Sequence, residues 1–468
     1  MMRSLYSGVS GLQNHQVRMD VIGNNISNVN TTGFKKGRVT FQDMLSQMLS
    51  GAAKPAEEIG GVNPKQVGLG MVIAAIDTIH TQGSLQTTGK NLDLAIQGEG
   101  FFVLNQGDKS FYTRNGAFSL DEKGTLVNPA NGLKVQGWSS ELIGGTYQIN
   151  TAANIGDIQI PLYSKDPARQ TQNIWVKCNL FSETGIIPDY NTATETDRIQ
   201  NTHESSIEVY DSRGNSIPAR FIFYKTDVNT WRARLVVEGA DPAFTRIDIG
   251  AQNVAAGAAN ANELVFQFDN FGRPLSVTDA SGETVNAGQL NATLTFQVPG
   301  AAGGLEQTFN VLLGEAGQVD SRDPEGNNFG VTQFASAFTT KPFKQDGFGL
   351  GYLEAFKVDN SGVITGVYSN GNNRPLARIA MANFTNVGGL EKAGENNYVA
   401  SNNSGLPDIG PANFAGKGKI TAGALEMSNV DLAEQFTDMI VTQRGFQANS
   451  KTIQTSDQML QELMTLKR

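Results

Sequence analysis

Six apolar residues, Leu425, Leu432, Met439, Phe446, Ile453 and Leu460, stand seven apart near the carboxyl end. Phe436 and Met464 fall in a second heptad position, a row that Gln443, Ser450 and Asp457 interrupt. From 428 to 466 there is no proline, and Gly445 is the only glycine. A period of seven suits a helix that packs on another helix. It predicts a helix of roughly 38 residues, about 57 Å long, with Ser428 or Asn429 as its N-cap. At the amino end Leu5, Val9, Leu12, Met19, Ile22, Ile26 and Val29 recur at three- and four-residue steps, with Gln16 filling one slot and Gly33 placed to stop the helix. Each stripe is narrow, and an isolated pair of such helices buries little apolar surface against the entropy of ordering it. Two outcomes stay open: a helical hairpin or homodimeric coiled coil, and ends that are loose in the single chain and order when copies assemble.

The middle has a different texture. Phe101–Leu104, Phe111–Thr113, Ile158–Ile160, Ile174–Leu180, Arg220–Tyr224, Trp231–Val237 and Ala292–Val298 are short apolar or alternating runs. Between them lie Asn115-Gly116, Lys123-Gly124, Asn131-Gly132, Arg213-Gly214, Ser281-Gly282, Ser361-Gly362 and Asn370-Gly371, pairs that favour tight hairpin turns. No strand–helix alternation points to a parallel sheet. The predicted fold class is therefore mostly β domains carried between long, coiled-coil-like helical termini, in a chain of several domains that runs out and back.

Composition narrows the function. A net charge of −9 argues against coating nucleic acid. Gly347, Gly349 and Gly351 are followed by Tyr352, so G-x-G-x-x-G fails, and the glycines near Lys417 and Lys419 lack the rest of a phosphate loop. G-x-S-x-G, S-x-x-K and H-E-x-x-H do not occur. One cysteine, Cys178, excludes an internal disulfide, and His15, His80 and His203 show no metal-ligand spacing, so neither cofactor nor metal is expected. No run of 18 apolar residues predicts a membrane span, and the opening MMRSLYSGVSGLQNHQVRMD lacks the apolar core and cleavage site of a signal peptide. The reading is a structural protein, not an enzyme; a secreted β-rich adhesin is the weaker alternative.

The end segments also carry a resemblance. SGLQNHQVRMDVIGNNISNVNTTGFK (10–35) and SNVDLAEQFTDMIVTQRGFQANSKTIQTSDQMLQELMTLKR (428–468) resemble the terminal motifs of bacterial flagellar rod and hook proteins. NLDLAIQGEGFFVL (91–104) and ARIAMANFTNVGGLEKAGENNYVASNNSG (377–405) resemble segments flanking the family's variable middle. The length favours the hook members over the shorter distal-rod members. The resemblance implies export through the flagellar type III apparatus and self-assembly into a helical tube, a flexible universal joint that transmits motor torque. It implies contacts with rod, hook-cap and hook–filament junction proteins and a place in the hook, periplasmic if the source is a spirochaete. It implies inner-tube helices at 1–30 and 428–468, a connector at 31–90 plus 405–427, an inner β domain at 91–165 plus 335–404, and one or two outer β domains at 166–334. The apolar stripes, with Asn24, Asn25 and Asn28, become the polymerisation residues, the amides bonding across subunits. The connector reads as irregular chain.

Cys178 has two readings. Period two puts Ile174, Val176, Cys178 and Leu180 on one strand face, which makes the thiol a small core hydrophobe. The likeness to spirochaetal hook proteins implies a second reading. Cys178 and Lys165 would form a self-catalysed lysinoalanine cross-link between subunits, with Asn179 assisting by polarising the carbonyl beside the cysteine Cα–H. Lys177 and Lys225 are alternative amines. That chemistry requires surroundings that favour an uncharged lysine.

Overall fold

The computed structural model describes the chain apart from residues 1, 53, 55–59, 108, 144–145, 242–243, 250–253, 256–257, 259, 287–290, 299–305, 313–330, 340 and 467–468. Pro55 of the expected connector lies outside the described residues, as does the side chain of Lys177. The chain divides into two compact units. The first comprises 1–162, 354–367 and 373–468, and the second 163–353 with 368–372.

Helices α1 (Met2–Ser27) and α3 (Leu432–Leu466) belong to the first unit and pack against each other. The short α2 (Glu195–Asn201), capped by Thr194, belongs to the second. Two of the expected helix ends differ. Asp431 caps α3, its Oδ1 accepting from the Ala433 and Glu434 amides at 2.8 and 3.4 Å, so neither Ser428 nor Asn429 does. Leu425, the first member of the heptad row, lies before the helix on strand Ala424–Glu426, paired with Leu85–Thr87. The helix cannot extend that far back because residues 424–426 form sheet hydrogen bonds.

The expected irregular connector contains two antiparallel strand pairs. Gly37–Asp43 pairs with Met71–Thr78, and Ser46–Ser50 with Lys65–Gly68. In Gly37–Asp43 Val39 and Phe41 alternate with Arg38, Thr40 and Gln42, the period of a strand, while Met71–Thr78 is an apolar run as far as Ile76. Beyond it, strands Asn373–Asn383, Lys134–Ile143, Phe101–Gln106, Lys109–Thr113, Asn397–Val399 and Glu391–Gly394 follow one another across a sheet. Its core gathers Phe101, Val103, Tyr112, Trp138, Phe384 and Tyr398. Ile158–Ile160 is buried but is not a strand of this sheet.

The second unit is a sandwich. One sheet runs Thr202–Tyr210, Ser216–Asp227, Thr230–Val237, Glu263–Phe268, Pro274–Thr278 and Thr284–Asn286. The other runs Arg246–Ile249, Asn291–Gln297, Glu306–Leu312, Asn173–Phe181 and Val331–Phe334, with Lys341–Gln345 also on Asn173–Phe181. Their inner faces share one core, including Ile174, Val176, Leu180, Phe221, Phe223, Trp231, Phe296 and Phe309. Contrary to the sequence expectation, two pairings are parallel: Asn173–Trp175 with Asn310–Leu312, and Cys178–Phe181 with Val331–Phe334. A parallel pair needs a long crossover, and the excursion through the opposite sheet supplies it where a helix ordinarily would.

One turn recurs in both units. At Asp121, Asp211, Asp269, Asp279 and Asp359 the carboxylate Oδ1 accepts the amides two and four residues on, and a glycine at the fourth position adopts φ between +77° and +88°. The aspartate closes the turn and the glycine turns the corner that a Cβ would oppose. At Asp211 burial pushes the carboxyl up. Hydrogen bonds from the Asn215 side chain and the Asn215, Arg213 and Gly214 backbone outweigh it and hold the pKa below the ordinary value.

Candidate functional site

The seam between α1 and α3 is built of small and polar residues. The Ser4 and Ser456 hydroxyls lie 3.3 Å apart, Arg18 donates to Asp438 at 3.1 Å, and Asn25 donates to Gln435 Oε1 at 2.9 Å. A Cβ on Gly8 would lie 3.0 Å from Ile453, on Gly11 2.6 Å from the Asn449 amide, and on Gly445 2.8 Å from the His15 ring. Side chains of Gln435, Thr442 and Ser456, spaced by seven and fourteen residues, are buried there. The apolar heptad row flanks this seam and enters it at Ile453, which faces Gly8. Met439, Phe446, Ile453 and Leu460 are half-buried, and Leu432 and Phe436 are exposed with Ile440, Val441, Met459, Leu463 and Met464. On α1, Ile22 is buried while Leu5, Val9, Leu12, Met19 and Ile26 are half-buried. The chain thus closes a helical hairpin and still leaves an apolar ridge along α3 in water.

The asparagines divide. Asn25 is buried, donating to the Gly37 carbonyl at 2.8 Å and accepting the Gly37 amide at 2.9 Å, so its amide is used within the chain. Asn28 donates to the Asn24 carbonyl at 2.9 Å, and Asn24 is exposed beside a groove of about 470 Å³ lined also by Val17, Asp20, Ile76 and Lys392.

Beneath the hairpin lies an ionic cluster that sequence patterning does not reveal. Lys35 Nζ meets Glu426 Oε1 at 2.6 Å, both side chains fully buried, and Arg114 reaches Glu426 Oε2 at 3.4 Å. Lys35 also donates to the Thr81 carbonyl, and the Gly83 amide donates to Glu426. Gly33, at φ +69°, donates its amide to the Glu426 carbonyl at 2.8 Å. A Cβ there would lie 2.7 Å from the Asn115 nitrogen, which is why glycine stands in this turn. Asn429 joins the same segments, accepting the Lys36 amide and donating to Ile79 and Thr81. Burial pushes the Lys35 pKa down and Arg114 adds to that, while Glu426 opposes it.

His80 sits nearby against Phe101 and Tyr398, and burial, followed by Lys35, Arg114 and Lys392, lowers its pKa to about 4. The folded protein therefore holds His80 neutral where the unfolded chain protonates it, from its ordinary 6.5 downward. Stability should fall as pH drops from 6.5 towards 4, by roughly 3 kcal/mol at most from this residue. Denaturant midpoints of the first unit across that window, with His80→Gln as the flatter control, check this.

The residues with a suggested cross-linking role all lie in the second unit but on different sheets. Cys178 is buried on Asn173–Phe181, with Val331 opposite it in the parallel pairing to Val331–Phe334. On its other side the strand pairs with Lys341–Gln345, and the Thr339 N–H donates to the Asn179 carbonyl at 3.3 Å. The Asn179 amide donates to Ser336 Oγ and O at 2.8 and 3.0 Å, and its oxygen accepts from Phe334 N–H at 3.0 Å. It fastens the strand to its neighbour. The side-chain group within reach of the Cys178 carbonyl is instead the Thr332 hydroxyl, at 3.5 Å from that oxygen and 3.1 Å from Asn179 Oδ1. Thr332 was missed because it becomes a neighbour only through the parallel pairing.

Lys165 is exposed on the two-residue strand Lys165–Asp166, its Nζ 5.9 Å from the centre of the Tyr352 ring. Lys225 is buried, its Nζ donating to the Ser182 carbonyl at 2.6 Å, which removes it as an available amine. Among the described residues no group of three or more His, Cys, Asp or Glu is arranged to hold a metal ion. No described helix is long and apolar enough to cross a membrane.

Comparison with known proteins gives four family matches in chain order. Residues 5–35 match the flagella basal body rod protein family and 95–177 the flagellar hook protein FlgE/F/G D1 domain. Residues 179–348 match the flagellar basal body protein FlaE D2 domain, and 421–466 the flagellar basal body rod FlgEFG protein C-terminal family. The chain is 51% identical to the flagellar hook protein FlgE of Treponema pallidum and 48% identical to that of Borreliella burgdorferi, each alignment covering 100% of both chains. It is 30% identical to the flagellar basal-body rod protein FlgG of Bacillus subtilis, again over 100% of both.

Proposed function

The chain belongs to the flagellar hook protein family, and from that premise we propose that it polymerises with itself into the flexible tube that passes motor torque to the filament. It is a structural subunit placed in the flagellar hook. The observation that supports polymerisation is the exposed apolar ridge of α3 beside an already closed seam. A heterologous contact repeated without closing builds a helical filament, and a ridge left over after the hairpin has formed is the surface such a contact needs. In this reading Leu5, Val9, Leu12, Met19, Ile22, Ile26, Leu432, Phe436, Met439, Phe446, Ile453 and Leu460 line subunit contacts, and the inner tube is helical. The rod, hook cap, hook–filament junction and export apparatus are its further partners. The identity to a rod protein is the one observation favouring a distal-rod subunit.

Electron microscopy of the purified chain after salting out tests the reading. Curved tubes are expected; straight tubes would move the chain to the rod, and their absence would overturn the proposal. The double substitution Phe436→Asp, Ile440→Asp lies off the helical seam and should abolish tubes while circular dichroism retains the helical content. Tubes at wild-type yield would place the contact elsewhere.

The finer part of the proposal is a lysinoalanine bond between Cys178 of one subunit and Lys165 of the next. Loss of the Cys178 Cα proton and of hydrosulfide leaves dehydroalanine. The neutral amine adds to its Cβ while one amine proton ends on Cα, so each link releases one H₂S and nothing else is oxidised or reduced. A hydrogen-bond donor on the Cys178 carbonyl stabilises the charge that develops there, a role Thr332 is placed to fill. Lys165 is exposed in the single chain, so the neighbouring subunit has to supply the dry surroundings its uncharged form requires.

A further inference from the structure

We propose that Tyr352, held by a buried clamp on Asp166, is the positioning residue that presents Lys165 to the neighbouring subunit; this rests on the cross-link reading above. The strand carrying Lys165 is only two residues long, with Lys165 opposite Tyr352 and Asp166 opposite Gly351. So short a strand holds no direction by itself. Alternation sends Lys165 outward and Asp166 inward, and Asp166 is only 1% exposed. Its Oδ2 accepts from the side-chain amides of Asn370 and Asn372 at 3.4 and 3.3 Å. Asn370 also donates to the Gly349 carbonyl at 3.1 Å.

The same turn pins Tyr352. Ser369 N–H donates to the Tyr352 carbonyl at 2.9 Å, and Tyr352 N–H donates to Ser369 Oγ at 3.0 Å. Glycine is required at 351, because a Cβ there would lie 2.6 Å from the Asn370 amide. The backbone of Tyr352 is thus fixed while its ring stays 49% exposed under the Lys165 ammonium. Burying a carboxylate is costly unless it is hydrogen-bonded, and the fastening here serves a strand whose outward side chain is exposed with its Nζ over that ring. A free lysine spreads over many rotamers, and a ring beneath it narrows them before the neighbour arrives. Orientation of this kind acts on the addition step and leaves elimination at Cys178 untouched.

The two half-reactions give separate readouts. Polymers of wild type, Tyr352→Ala, Tyr352→Phe and Asp166→Asn are assembled, and released hydrosulfide and the Lys–Cys linked peptide are both followed with time. In Tyr352→Ala and Asp166→Asn hydrosulfide release should match wild type while link formation slows on the order of tenfold. Dehydroalanine should accumulate in both and be captured by an added thiol; Tyr352→Phe should restore the wild-type ratio. Linking at the wild-type rate in Tyr352→Ala overturns the proposal, as does a parallel fall of both signals in that variant. Absence of hydrosulfide from wild-type polymers removes the cross-link reading and this inference with it.

Discussion

Glu426→Gln should destabilise the first unit by about 3–5 kcal/mol, seen as a lower denaturant midpoint for that unit and an unchanged transition for the second. The reason is the charge balance around a single carboxylate. Glu426 faces two buried cations, Lys35 at 2.6 Å and Arg114 at 3.4 Å, and also accepts the Gly83 amide. Glutamine keeps the shape and removes the charge, so both cations lose the buried carboxylate they share, and only the more distant Glu99 still favours the Lys35 charge. Lys35 is already pushed down by burial and by Arg114, and Glu426 is first among the groups that oppose it. In the variant Lys35 gives up its proton more readily, which limits the loss. The double variant Lys35→Met, Glu426→Gln should therefore be more stable than Glu426→Gln alone, a coupling that a mere shape change would not produce. A midpoint equal to wild type in the single variant would show that the cluster is not what fastens the unit. The partners Lys35 and Glu426 are 391 residues apart, so this contact closes the first unit only once the returning segment is in place.

What sequence reasoning reached and what it missed follow from the range of the interactions involved. Helix periodicity is local, so α1 and most of α3 were legible in Leu5–Ile26 and Leu432–Leu460. The β texture was legible in runs such as Trp231–Val237. Hairpin corners were legible in pairs such as Lys123-Gly124 and Ser361-Gly362, although the aspartate two residues before each pair carries the hydrogen bonds and its pattern was overlooked. Helix–helix packing was expected along the apolar row. Apart from Ile453, the seam instead uses Gln435, Thr442 and Ser456, because glycines on both helices bring the backbones too close for large side chains. Asn429 was expected to cap a helix and instead joins Lys36, Ile79 and Thr81, partners about 350 and more residues away. No periodicity encodes such contacts. The parallel pairing beside Cys178 was missed for the same reason, since the strands it joins are separated by the opposite sheet.

Cys178→Ala should leave tube formation intact and abolish the resistance of the tubes to boiling in detergent. The expected change is from high-mass ladders to monomer on a denaturing gel. The first half follows from packing. The cysteine is a small buried group in a core of much larger side chains, so losing its sulfur removes little apolar volume, and the strand keeps its ladder hydrogen bonds to Val331–Phe334. The second half follows from bond type. Contacts along an apolar ridge dissolve when detergent and heat unfold the subunits, whereas a carbon–nitrogen bond does not. Lys165→Arg discriminates further. A guanidinium stays charged and cannot add to the alkene, so detergent resistance should be lost there too, but hydrosulfide should still be released and dehydroalanine should remain in the tubes. Equal resistance in Cys178→Ala would sink the cross-link. Resistance lost in Cys178→Ala but kept in Lys165→Arg would retain the cysteine and assign the amine to another lysine, with Lys225 the poorest candidate because its Nζ is buried on the Ser182 carbonyl. A joint whose subunits slide past one another under torque has to change its apolar contacts continually; a covalent tie from an exposed lysine lets those contacts change without letting neighbours part.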